Sequence, residues 1–276
     1  MARRFVAGED TFSAIEAARR LNGEGLKATL NFLGEESRDP EQTQGTVAEY
    51  LRSIRKIGEK EIDANISVKL TQLGLSLDQQ LCLDNLFLIL EEAKKTKNFV
   101  RVDMESSAYT QRTLDIVAAA SKAGFQVGPV IQSCLRRSQK DVEDLNRLGS
   151  RVRLCKGAYK EPPGLAFDQR REVDENYDAL AAALLDGGRE PAFATHDDRR
   201  IAHVIHCAAE RKTARGQFEF QMLYGLRRRR WRELAREGHQ VRIYVPYGTH
   251  WLPYFYRRIR ERKENALFVL KGMLSD

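Results

Sequence analysis

The chain has 276 residues, 42% of them hydrophobic, and carries 46 Lys and Arg against 39 Asp and Glu for a formal net charge of +7. That is enough chain for one substantial core, and a single domain over residues 1–276 is expected. No apolar run approaches the ~18 residues of a membrane span, and Met1-Ala2-Arg3-Arg4-Phe5 lacks a signal peptide's apolar segment, so a soluble cytoplasmic protein is expected.

In chain order, a leading helix is expected near Thr11 to Leu21, then a first strand over Lys27 to Leu33 and a helix near Thr46 to Gly58. Strand Ala64 to Leu70 precedes helix Leu77 to Lys95, and strand Phe99 to Glu105 precedes helix Thr110 to Ala123. Strand Gln126 to Gln132 leads to helix Ser138 to Leu148, and strand Arg151 to Gly157 to helix Val173 to Leu185. Strand Pro191 to Asp197 is followed by helix Asp198 to Lys212, and strand Phe218 to Leu223 by helix Arg227 to Glu237. The eighth strand, Val241 to Gly248, ends in a Pro/Gly turn before helix Leu252 to Lys271. Eightfold alternation predicts an α/β fold, a TIM-like (β/α)8 barrel. The alternative is an open doubly wound sheet, but the first turn reads Gly34-Glu35-Glu36-Ser37, with no GxGxxG.

Cys82, Cys134, Cys155 and Cys207 show neither CxxC nor Cys/His metal spacing, so four free thiols and no zinc are expected. His203 and His206 lack a third ligand and read as outer-helix residues. The run Arg227-Arg228-Arg229-Arg230 opens a segment of helical spacing with Glu233 and Glu237, which predicts a solvated helix and no nucleic-acid partner. Peripheral contact with an anionic membrane surface stays open.

In a barrel the chemistry sits at the carboxyl ends of the strands. Those ends carry Lys69, Asp103 with Glu105, Gln132, Arg153 with Lys156, Thr195-His196-Asp197, Gln221 and Tyr244. Arg257 and Arg258 follow the last strand, and two adjacent guanidiniums there can grip one small carboxylate. The set is rich in cations facing few carboxylates, which predicts an anionic or electron-accepting occupant. Two enzyme readings fit equally: a Schiff-base enzyme using Lys69 or Lys156, and a redox enzyme whose organic cofactor is held by Arg153 and Gln132. A non-enzymatic binding module is a third.

The ordered blocks Phe99-Val100-Arg101-Val102-Asp103-Met104-Glu105, Arg153-Leu154-Cys155-Lys156-Gly157-Ala158-Tyr159, Ala194-Thr195-His196-Asp197, Phe218-Glu219-Phe220-Gln221-Met222-Leu223-Tyr224-Gly225 and Tyr244-Val245-Pro246-Tyr247-Gly248, then Arg257-Arg258 with Glu261, resemble the motifs of proline dehydrogenase, most of all the short monofunctional bacterial enzymes. The resemblance implies a flavin-dependent barrel that oxidises L-proline to Δ1-pyrroline-5-carboxylate by hydride transfer from C5 to flavin N5, with a membrane quinone taking the electrons. It implies FAD, with FMN open because Lys160 stands where larger relatives often place a tryptophan near the adenine. By the same resemblance Lys69, Arg257 and Arg258 bind the carboxylate, while Tyr244 and Leu223 pack on the ring. Arg153 lies beside N5, Gln132 pairs with the pyrimidine edge, and Met104, Lys156, Gly157, Ala158, Thr195 and His196 line the cofactor. Asp103 organises the site, and Glu35 latches over the substrate by pairing with Arg257. Family members usually carry further N-terminal helices, and the product passes to a pyrroline-5-carboxylate dehydrogenase.

Overall fold

A computed structural model describes residues 4–34 and 36–252. Eight parallel strands close on themselves in sequence order: β1 (Lys27–Phe32), β2 (Ala64–Val68), β3 (Val100–Val102), β4 (Val127–Gln132), β5 (Arg153–Cys155), β6 (Ala192–Ala194), β7 (Glu219–Leu223) and β8 (Gln240–Tyr247). Closure is made by β8 against β1, in the register Ala28↔Ile243 and Leu30↔Val245, which excludes the open sheet. Helix α1 (Thr11–Gly23) precedes β1. The crossovers carry α2 (Pro40–Glu59), α3 (Gln79–Lys95), α4 (Ser107–Lys122), α5 (Ser138–Arg147), α6 (Arg170–Gly187), α7 (Asp198–Glu210) and α8 (Arg228–Arg236).

The barrel follows from two opposite strand faces. Ala28, Leu30, Ile66, Val68, Val100 and Val102, with Phe193, Phe220, Ile243 and Val245, join the main hydrophobic core with the apolar faces of the helices. In α2 that face is Val47, Tyr50, Ile54 and Ile57, and each such side chain contributes about 1.5–3 kcal/mol on burial. The intervening residues, among them Thr29, Asn31, Ser67, Arg101, Arg153, Gln221 and Arg242, are buried and polar. The barrel interior is therefore bonded by hydrogen bonds and ion pairs rather than filled with aliphatic side chains.

Boundaries differ where capping overrides periodicity. Helix α2 begins at Pro40, behind an Asp39 side chain that accepts from Gln42 N at 2.9 Å, although the apolar pattern starts only at Val47. Helix α6 starts at Arg170 behind a Gln169/Glu172 capping box. Strand β3 stops at Val102, and beyond it Asp103 turns its carboxylate to Arg153 on β5 and Glu105 to Thr71 in the turn after β2. The expected last helix, Leu252 to Lys271, lies beyond its first residue outside the described residues.

Candidate active site

Asp103 is the node of the barrel mouth. Its Oδ1 accepts from Ser67 Oγ at 2.5 Å and from Arg153 Nη1 at 2.7 Å; its Oδ2 accepts from Tyr244 Oη at 2.7 Å and from Lys69 Nζ at 3.1 Å. Donors from three strands, β2 and its end, β5 and β8, thus converge on one carboxylate at the end of β3. Burial alone would push the Asp103 carboxyl up, but Lys69 and Arg153, with the two hydroxyl donors, hold it well below the usual carboxylate range. Asp103 is an anion that positions its neighbours, too weak a base to collect a proton. Lys69 is the mirror case. Burial pushes its ammonium down, yet Asp103, Tyr159 and Glu105 outweigh that and raise it above the ordinary lysine value. Among the described residues no group of three or more His, Cys, Asp or Glu could hold a metal ion.

The turn after β2 is fixed by Glu105, whose Oε2 accepts from Thr71 N at 3.1 Å and whose Oε1 accepts from Thr71 Oγ1 at 2.6 Å. Glu105 is therefore a brace for the Lys69 segment, and its carboxyl is raised, chiefly by burial. Gln132 donates from Nε2 to Glu105 O at 2.9 Å, which leaves its Oε1 as an acceptor.

The expectation of cations facing few carboxylates is corrected. Lys69 and Arg153 share Asp103, and Lys156 pairs with Asp174 and, at 2.9 Å, with Asp197. Asp174 comes from α6, where sequence periodicity gave no reason to look for a site residue. The arginine run is corrected too. Arg227 adopts a left-handed conformation (φ 52°) at the N-cap of α8, donates to His196 O and pairs with Asp198 at 2.6 Å. Arg230 pairs with Asp198, Glu233 and Glu237. Side-chain exposures of 25% and 21% place both on the rim of the mouth, whereas Arg229, at 93%, is solvated as expected.

A cavity of about 1450 Å³ opens over this node. Lys69, Asp103, Arg153, Leu223 and Tyr244 line it, together with Met104, Gln132, Lys156, Gly157, Ala158, Thr195 and His196. All twelve described candidates from the sequence thus meet in one space. Glu35, Arg257 and Arg258 lie outside the described residues. Leu223 N donates to His196 Nε2 at 3.1 Å, so neutral His196 carries its proton on Nδ1. Gly157 has φ 108°, and a Cβ there would stand 2.3 Å from Cys134 Sγ. Ser67 was missed by sequence reading, although Asn65, Ser67 and Lys69 recur with a period of two and so mark the inward face.

The four cysteines are free, and burial pushes the Cys155 thiol up to about 12, consistent with a packing role. His203 and His206 pair with Asp178 and Glu210 along the outer helices.

Comparison with known proteins identifies the family. The chain matches the sequence profile described as proline dehydrogenase over residues 14–271. It is 42% identical over 273 residues to proline dehydrogenase 1 of Bacillus subtilis (strain 168), covering 99% of this chain and 90% of that protein. Against proline dehydrogenase of Deinococcus radiodurans it is 38% identical over 279 residues, with the same coverage of 99% and 90%. Proline utilization A from Bdellovibrio bacteriovorus, solved after inactivation by N-propargylglycine, superposes with a TM-score of 0.89 at 25% identity, over 96% of this chain and 33% of that one. This chain thus spans about a third of that larger protein. With a profile match over most of its length and relatives of this identity, the chain belongs to the proline dehydrogenase family.

Proposed function

We propose that this chain, as one catalytic domain over residues 1–276, oxidises L-proline to Δ1-pyrroline-5-carboxylate at the barrel mouth with a flavin as cofactor. The observation that carries this reading is the Asp103 node with its two cations and tyrosine, lining a cavity much too large for proline alone. Ordinary small-molecule pockets measure about 300–1,000 Å³. A space of about 1450 Å³ suits a small substrate beside a dinucleotide, which favours FAD over FMN.

The lining residues fit such a group. Arg153 lines the cavity, and its Nη2 is buried with no hydrogen-bond partner among the described residues. Gln132, its Nε2 committed to Glu105 O, offers Oε1 to an N–H on the pyrimidine edge of the ring. Lys156 and His196 supply polar contacts along the walls, and Met104, Gly157, Ala158 and Thr195 give the surface on which the cofactor packs. When bound, the flavin supplies at N5 the acceptor for the hydride leaving proline C5.

The protein's part is positioning and charge. Lys69, with Arg257 and Arg258, binds the proline carboxylate, while Tyr244 and Leu223 pack against the ring and set its pose. Arg153 keeps a fixed positive charge where electron density arrives. The ring nitrogen must be neutral for its lone pair to form the C=N bond, and the cations around it disfavour the protonated amine. Asp103, already ion-paired, holds Lys69, Arg153 and Tyr244 in register. Glu35 latches over the substrate by pairing with Arg257.

The reaction sits in the cytoplasm, with electrons passing to a membrane quinone through peripheral contact of a basic surface, and the product passes to a pyrroline-5-carboxylate dehydrogenase. No described helix is long and apolar enough to cross a membrane. The Schiff-base alternative needs a neutral lysine; Lys69 is held as an ammonium and Lys156 is clasped by two carboxylates.

The test is the visible spectrum of the purified protein before and after anaerobic L-proline. Flavin bands that bleach support the reading. A colourless protein that stays so after added FAD overturns it, and flavin bands unmoved by proline overturn the substrate.

A further inference from the structure

Below the Asp103 node a second line of charge runs down the barrel interior. Arg153 Nε donates to Gln221 Oε1 at 2.5 Å, and Gln221 Nε2 donates to Glu219 Oε1 at 2.5 Å. Glu219 in turn receives both of its oxygens' worth of contact from Arg242 Nε, at 2.9 and 3.1 Å, and Arg242 Nη1 is anchored on Ala28 O at 2.8 Å. Arg153, Gln221 and Arg242 are 5%, 4% and 7% exposed, so water does not compete for these bonds.

The amide of Gln221 has one permitted orientation. Turned over, its NH2 would face a guanidinium and its oxygen a carboxylate, repulsive at both ends. Glu219 therefore fixes the flip of Gln221, and Gln221 fixes Arg153 through Nε, while Nη1 is held by Asp103 and Nη2 is left buried without a partner among the described residues. Held through two of its three nitrogens, the guanidinium of this cavity-lining residue has one fixed orientation.

We propose that Gln221 is a positioning residue for Arg153, with Glu219 setting its amide, so that the barrel interior of β7 orients the cation that faces the cofactor. This rests on the proline dehydrogenase reading above. Gln221 also lines the cavity, but its amide is engaged at both ends, by Arg153 and by Glu219, so in this scheme it acts through Arg153.

The substitution Gln221→Met keeps size and removes the acceptor. In the flavin-loaded enzyme we expect kcat to fall roughly tenfold, KM for proline to change less than about threefold, and the flavin to become harder to reduce. A tenfold loss in the reduction equilibrium reads as a midpoint potential about 30 mV more negative for a two-electron couple. Glu219→Asp keeps the charge but shortens its reach, and is expected to shift kcat and potential in the same direction by less. In an Arg153→Met background, Gln221→Met is expected to add little further change, because its effect travels through Arg153.

A Gln221→Met protein with wild-type potential and kcat overturns the proposal even if its Tm falls, since that is a packing role. Additive losses in the Arg153→Met background overturn it as well. If Gln221→Met does not fold, Glu219→Asp decides: unchanged potential and kcat overturn the proposal, and a same-sign shift supports it. Failure of the underlying reading is separate, because it appears in the wild type as flavin bands that proline does not bleach.

Discussion

Lys69 Nζ lies 3.1 Å from Asp103 Oδ2 in the barrel mouth, and this contact keeps the lysine charged. A charged ammonium binds a carboxylate and does not attack a carbonyl. Lys69→Met is therefore expected to raise KM for proline by roughly ten- to a hundredfold, the range of one charge-assisted hydrogen bond. The effect on kcat is expected to be smaller. Steady-state kinetics with proline decide it; a kcat collapse at unchanged KM would contradict a binding role.

Tyr244 donates to the same Asp103 oxygen at 2.7 Å, and the Arg153 guanidinium carbon stands 5.4 Å from the centre of its ring. Tyr244→Phe keeps the ring and removes the donor. Asp103 retains Ser67, Arg153 and Lys69, so the fold is expected to survive with a Tm change of a few degrees. Looser positioning of the carboxylate is expected to lower kcat/KM by roughly ten- to a hundredfold, the range of one hydrogen bond to a charged group. Equal kcat/KM for the two proteins would remove Tyr244 Oη from the site's working parts.

The pH dependence follows from the same groups. Asp103 is depressed, so it stays ionised throughout the neutral range and contributes no acid limb there. Activity is expected to rise with pH as bound proline loses its amine proton. The pairing of Lys69 is present in full below its unfolded value of about 10.4 and is lost only as pH rises through the higher folded value. No alkaline fall from Lys69 is expected below that. A kcat/KM profile that is flat or falling between about pH 7 and 9 would sink the neutral-amine requirement.

Acid stability has a second contributor, away from the mouth. Burial pushes the Glu219 carboxyl up, but Arg242, Gln221 and Arg101 outweigh it and hold it at about 2. A depressed carboxylate stabilises the fold above its unfolded value near 4.3 and loses that contribution as pH falls toward 2. The difference amounts to about 3 kcal/mol. Glu219→Gln is expected to lower Tm at neutral pH and to flatten its decline between roughly pH 4.5 and 2. Thermal melts across that range test it; parallel curves for both proteins would place the acid limb elsewhere.

The barrel was legible because its outward strand faces are apolar and its inward faces polar at a period of two, as in Ile66 and Val68 against Ser67 and Lys69. Tertiary pairing was not. Asp174 lies on α6 with nothing in its local sequence to separate it from Asp178 or Glu175, yet the crossover brings it to Lys156. The arginine run read as solvated because helical spacing cannot reveal that Asp198, on the neighbouring helix, would draw Arg227 and Arg230 inward. Helix α2 began early because its first turn, Pro40 to Gly45, is fixed by the Asp39 cap and not by apolar contacts.

Gly157 offers a test of the cavity wall that involves no charge. Its φ of 108° is costly for any L side chain, and an added Cβ would meet Cys134 Sγ at 2.3 Å and Gln132 Oε1 at 3.2 Å. Gly157→Ala must therefore displace either Cys134 or the backbone that follows β5, and with it Gln132. Backbone strain of this kind costs about 1–3 kcal/mol, so Tm is expected to fall by several degrees and flavin content to drop. Adding Cys134→Ala removes the sulfur but not the φ penalty. The double variant is expected to recover part of the flavin content and only a fraction of the Tm. Full recovery of both would mean that the glycine is needed for space alone; no recovery would mean that the left-handed backbone is the whole requirement.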